Sequence, residues 1–181
     1  MRKLPPARAT VRDIDTIREQ KAALWAPVLE QTGAPELVEV VGQCVWSLPQ
    51  EKIRDELSLA RALQEYVQEN VRFVKEFPER YQSPVRTLQY KVGDCDDQAP
   101  LLAALLRTVK IPARLCIGGW GAGPGDPPVW RHIWAQALLP KHGWTSAETV
   151  RRVPLGFDAG DWMASRGFQT ARTYVGDSGP L

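Results

Sequence analysis

An α+β fold with a small antiparallel sheet is the architecture this sequence predicts, and three observations carry it. The first 77 residues repeat apolar side chains at helical spacing, the segment from Cys95 to Lys110 is apolar almost all round, and the residues after it alternate about a turn. Helices therefore come first, a buried helix sits in the middle, and strands follow, an order that favours helices packed on an antiparallel sheet.

The elements follow in chain order. Residues 1 to 10 hold two prolines and three basic side chains and read as a loose arm. Asp13 to Leu29 places Ile14, Ile17, Leu24 and Val28 near helical spacing, and Thr32-Gly33-Ala34-Pro35 breaks it. Glu36 to Leu48 repeats the pattern through Leu37, Val40, Val41 and Val45 and stops at Pro49. Asp55 to about Phe77 predicts a third, longer helix on Leu59, Leu63, Tyr66, Val67 and Val74, with a loop at Pro78, Ser83 and Pro84. Cys95 to Lys110 leaves little polar face beside Leu101, Leu102, Leu105, Leu106 and Val109, which marks a buried helix. Arg114 to Gly118 is a short strand. Residues 118 to 128 hold five Gly and three Pro and form a loop, either a cleft rim or a plain hairpin connection. Arg131 to Leu139, a turn at Pro140-Lys141-His142-Gly143, and Trp144 to Val150 make a hairpin. The last 25 residues are Gly-rich with little periodicity and read as an extended tail that needs a packing partner. The expected division is a helical extension over 1–69, a core over 70–157, and a tail over 158–181 packed on the core or on a partner.

Bulk composition narrows the function classes. The 181 residues are 44% apolar and 24% charged, ordinary for a chain with a real core. A net charge of +2 from 23 basic and 21 acidic side chains is too even to indicate nucleic acid or an anionic membrane. No segment has the length and apolarity of a signal peptide or a membrane span, so a cytoplasmic site of synthesis is expected. Three widely spaced cysteines, Cys44, Cys95 and Cys116, argue against a disulfide framework.

Cys95 is the residue with chemical promise. It opens the buried helix, where free amides and the helix dipole favour a thiolate. Asp94 is placed as the N-cap, and Asp96 and Asp97 complement the positive helix end. These acids push the thiol pKa up, so a base is needed. The chain has two histidines, and His132, which opens a strand, is better held than His142 in its turn. Glu148 returns along the hairpin towards His132 and can orient its ring. A metal site from Cys95, Cys116 and His132 has no ligand spacing behind it, and no glycine turn with a distal Glu completes a calcium loop around the aspartates. Trp120, Trp130, Trp134 and Trp144 line a cleft or fill the core.

Four segments together resemble the transglutaminase-like superfamily. They are Gly93-Asp94-Cys95-Asp96-Asp97-Gln98-Ala99 with the Leu-rich run to Arg107, then Ile111-Pro112-Ala113-Arg114, then His132-Ile133-Trp134-Ala135-Gln136, then Gly143-Trp144 with Glu148-Thr149. Cys95 and His132 are 37 positions apart, and His132 and Glu148 are 16 apart. The resemblance implies a papain-like core, with the nucleophile on a central helix packed on a small antiparallel sheet and an N-terminal helical extension. It implies thiol acyl transfer on peptide or isopeptide amide bonds by Cys95, His132 and Glu148, with no cofactor and a peptide or protein substrate. The Cys95 amide supplies one oxyanion donor; Gln82, Gln89, Tyr90 and Trp134 are candidates for the second donor or for the substrate cleft. Glu148-Thr149 stands where the family normally has Asp-Pro. The closest flavour is a bacterial and bacteriophage subset, which also allows a structural or docking role with little catalysis, with virion or tail proteins as partners.

Overall fold

In the computed structural model, the structure describes residues 12–75, 81–123 and 125–177. The expected N-terminal arm and the Pro78 loop position lie outside the described residues. Three helices come first: α1 (Arg12–Gln31), α2 (Pro35–Ser47) and α3 (Glu56–Asn70), with a 3-10 turn at Gln50–Lys52. Asp55 caps α3 by accepting the Ser58 backbone N–H at 3.1 Å. The helix ends at Asn70, seven residues before the expected Phe77. Val71-Arg72-Phe73-Val74 suits a strand as well as a helix, and long-range pairing decides. Strand β1 (Arg72–Phe73) runs parallel to β2 (Val92–Gly93), and Arg72 N–H donates to the Lys91 carbonyl.

Between these strands lies α4 (Pro84–Tyr90), a helix that begins at the proline expected to mark a loop. Proline at its first turn starts it and Lys91, at φ 55°, ends it. Next comes α5 (Cys95–Thr108), buried from Asp97 to Leu106. It packs against α1, α2, α3 and α4 on one side and against the sheet on the other. The core gathers around it: Leu24, Val28, Leu37, Leu63 and Val67 from the helices, Leu101 to Leu106 from α5, and Leu115, Ala135 and Ala137 from the sheet.

The sheet has four antiparallel strands in the order β5-β4-β3-β6, namely β3 (Ala113–Trp120), β4 (Val129–Leu139), β5 (Gly143–Ala147) and β6 (Thr170–Gly176). The C-terminal segment packs on the core as part of this sheet. After α6 (Ala159–Ala164) it supplies an edge strand that pairs with β3 from Arg114↔Gly176 to Trp120↔Thr170. Thr-Ala-Arg-Thr-Tyr-Val has strand character, and flanking glycines masked it. Alternate residues divide the sheet faces. Leu115, Ile117, Ala135 and Ala137 meet α5, while Cys116 and Trp134 pack with Ala159 and Phe157 on the far face.

Candidate active site

The nucleophile's position follows from the start of α5. Asp94 accepts the Asp96 backbone N–H at 3.2 Å, and Asp97 Oδ2 accepts the Asp94 N–H at 3.3 Å, so the two form a capping box. Gly93 is required beside it, because a Cβ there would stand 2.6 Å from the Asp97 Cβ. Asp97 is buried and turns inward: Oδ1 accepts the Gln82 backbone N–H at 2.7 Å and Oδ2 accepts Gln82 Nε2 at 3.0 Å. Burial raises its pKa against the pull of those hydrogen bonds. The Asp94, Asp96 and Asp97 carboxylates share one locality, and two of the three are engaged in the cap.

Cys95 opens this helix, half-buried and with a free thiol. Burial pushes the thiol up to about 12, and Asp96, Asp94 and Glu148 add to the rise. The Ile133 backbone amide acts the other way by favouring the thiolate, which sets the sulfur against β4 at the residue that follows His132. The sequence identified Asp94 and Asp96 as opposing acids, but the largest cause, burial, depends on the finished fold. Asp97, also expected to oppose ionisation, faces Gln82 instead.

His132 lies on β4 at an irregularity. It pairs with Gly118, whereas the next β3 residue, Gly119, pairs with Trp130, so Arg131 is bulged out. Its Nε2 meets Glu148 Oε2 at 2.6 Å, which leaves Nδ1 as the nitrogen for exchange with a thiol. The ring stacks on Trp134 with centroids 5.7 Å apart and interplanar angle 27°. Trp134 is fully buried and its indole N–H donates to Ser146 Oγ at 3.1 Å. This corrects its candidacy as a cleft wall, because a side chain with no exposed surface supports the imidazole rather than meeting a substrate. Gly118 makes room for that support. A Cβ there would stand 2.4 and 2.6 Å from two Trp134 ring atoms. Gly118→Ala is therefore expected to cost about 1–3 kcal/mol, read as a lowered melting temperature in thermal denaturation.

Glu148 follows β5, which ends at Ala147 rather than at the expected Val150. The chain leaves the sheet there because its polar groups are claimed elsewhere. Glu148 Oε1 accepts the Thr149 and Val150 backbone N–H groups, each at 2.9 Å. The Glu148 carbonyl accepts Gln64 Nε2 and Gln68 Nε2 from α3, both at 2.8 Å. Only 1% of the residue is exposed, so the carboxylate is fixed in place opposite His132. Gln64 and Gln68 belong to no motif in the sequence. The available signal was a polar residue, Gln64, beside the apolar face of a helix, with a second glutamine one turn on.

The remaining candidates are more scattered. Both amide hydrogens of Gln82 are engaged, one by Asp97 and one by the Val92 carbonyl at 3.3 Å, so its side chain braces the start of α5. Gln89 and Tyr90 are exposed in the last turn of α4, and Arg86 lies 5.1 Å from the Tyr90 ring centroid. Among the described residues no hydrogen bond ties either to Cys95, His132 or Glu148. Cys44 and Cys116 are buried free thiols.

Comparison with known proteins places the chain. A family model of the transglutaminase-like superfamily matches residues 48–149, more than half of the chain. No curated protein matches. Among solved structures, a candidate cysteine protease from Cytophaga hutchinsonii aligns at 21% identity with a TM-score of 0.43, over 68% of this chain and 46% of that one. A candidate protease from Parabacteroides distasonis aligns at 14% identity with a TM-score of 0.48, over 75% of this chain and 27% of that one. The chain thus spans less than half the length of either. Among the described residues no helix is long and apolar enough to cross a membrane. The matched segment contains Cys95, His132 and Glu148, the central helix and the first hairpin of the sheet, and the chain belongs to the transglutaminase-like superfamily.

Proposed function

We propose that the chain is a cysteine hydrolase or acyltransferase acting on peptide or isopeptide amide bonds through Cys95, His132 and Glu148. The observation that carries this reading is the 2.6 Å pairing of His132 Nε2 with a buried Glu148, on the strand whose Ile133 amide faces the Cys95 sulfur. The order Glu–His–Cys is that of a base held by an acid beside a thiol.

In this reading His132 takes the thiol proton as the sulfur attacks the amide carbonyl. Glu148 offsets the charge on the resulting imidazolium. The Cys95 backbone N–H, free at the helix start, donates to the developing oxyanion. The C–N bond breaks, the amine takes the proton from His132, and a thioester remains on Cys95. Water or a second amine then attacks the thioester and restores the thiol. The two outcomes are hydrolysis and transfer.

The test uses fluorescent casein as a generic protein substrate, with a primary amine present or absent. Wild-type protein is expected to release labelled peptides or to couple the amine to casein, and Cys95→Ala to do neither. Equal turnover by wild type and Cys95→Ala would refute the reading.

A further inference from the structure

A second polar site lies on the far face of the sheet, away from α5. It is an open cavity of about 430 Å³, lined by Arg114, Gln136, His142, Trp144, Asp158 and Tyr174 among others. On β4, Gln136 is four residues beyond His132, roughly 13 Å along the strand. The buried Trp134 lies between them. The cavity is therefore separate from the cysteine site.

Arg114 dominates its chemistry. The guanidinium carbon lies 4.1 Å from the Trp144 ring centroid and 4.0 Å from that of Tyr174, residues carried by β5 and β6 on opposite sides of β3 and β4. Its Nε donates to Gln136 Oε1 at 2.8 Å. The aromatic rings and Gln136 thus occupy the faces and the inner edge of the guanidinium. The terminal nitrogens have no carboxylate partner among the described residues, and they form the edge that recognises a planar oxyanion bidentately.

The nearby acids are committed elsewhere. Asp158 accepts Arg172 at 2.8 Å and the Ser146 hydroxyl at 2.7 Å, and Asp161 pairs with the same Arg172 at 2.5 Å. Gln136 is held in turn, its Nε2 donating to Ser146 Oγ at 3.1 Å. Burial makes the Arg114 charge costlier to hold, and an anion in the cavity would relieve that cost.

We infer that this cavity binds the carboxylate group of a small ligand, with the Arg114 terminal nitrogens as donors and Trp144 and Tyr174 as walls. The volume suits a ligand of amino-acid to dipeptide size. The carboxylate can belong to a peptide C-terminus or to an acidic side chain.

The experiment titrates the full chain with N-acetylglycine as the chain-end probe and N-acetylglutamate α-amide as the side-chain probe. N-acetylglycinamide serves as the uncharged control and inorganic phosphate as the competing anion. Tryptophan fluorescence and calorimetry give the dissociation constants. At least one carboxylate is expected to bind at least tenfold more tightly than the amide and than phosphate, and Arg114→Gln to weaken it at least tenfold. Should Arg114→Gln fail to fold, NMR of the wild type decides, with the largest shifts expected at the Trp144 indole N–H and the Arg114 Nε–H. The inference is overturned by equal binding of acid and amide, by phosphate binding as tightly as both carboxylates, by unchanged affinity in Arg114→Gln, or by shifts centred elsewhere.

Discussion

His132→Ala is expected to leave the chain folded and to lower turnover of the casein substrate about 10²–10⁴-fold, the usual worth of a positioned general base. The reason lies at Cys95. Burial and three carboxylates hold its proton, with the thiol pushed up to about 12, so the resting sulfur is held as a thiol at neutral pH. The amide of Ile133 and the helix end favour the anion but do not overcome burial. A base that takes the proton during attack is then the main source of rate. Far-UV circular dichroism on the variant separates this loss from unfolding. Full turnover in folded His132→Ala would remove His132 from the reaction.

Glu148→Ala is expected to have the second large effect, on stability as well as on turnover. The carboxylate is buried and satisfies three donors: the His132 ring and the Thr149 and Val150 amides. Its removal leaves those donors in a dry pocket and should cost about 3–5 kcal/mol, measured by urea unfolding. Glu148→Gln keeps the shape and an oxygen that accepts both the Thr149 and Val150 amides, so it is expected to cost less stability while still losing most of the turnover. That contrast assigns the carboxylate charge to the chemistry and its shape to the fold. Equal turnover in wild type and Glu148→Gln would show that the charge is not needed.

The reasons these residues meet were only partly legible in the sequence. Helical periodicity located α1, α2 and most of α3, and the apolar run of Leu101 to Leu106 marked α5 as buried. The alternation about His142 located the β4–β5 hairpin. What escaped was whatever depended on long-range pairing. The end of α3 was set by β1 meeting β2, and β6 was recognised only on β3. The bulge at Arg131 and the clearance at Gly118 have no local signature either, although together they aim and seat the His132 ring. The site itself divides in the same way. Residue types and spacing brought forward Cys95, His132 and Glu148. The short Glu148–His132 pairing, the Gln64 and Gln68 anchors and the desolvation of Cys95 belong to the tertiary structure.

The central claim is that Cys95 is reactive because His132 is beside it, and the pH dependence of alkylation tests this most directly. Iodoacetamide labelling of each cysteine is followed by mass spectrometry from pH 5 to 11 in wild type and in His132→Ala. Cys44 and Cys116 act as internal references, since burial pushes these thiols up to about 11 and about 12. A raised thiol pKa keeps sulfur protonated, so labelling without a base rises only as the pH climbs towards those values. With His132 taking the proton during attack, Cys95 in the wild type is expected to label faster than Cys44 and Cys116 at the same pH, and to lose that advantage in His132→Ala. Cys95 labelling that tracks Cys44 and Cys116 across the whole range, and is the same with and without His132, would contradict it.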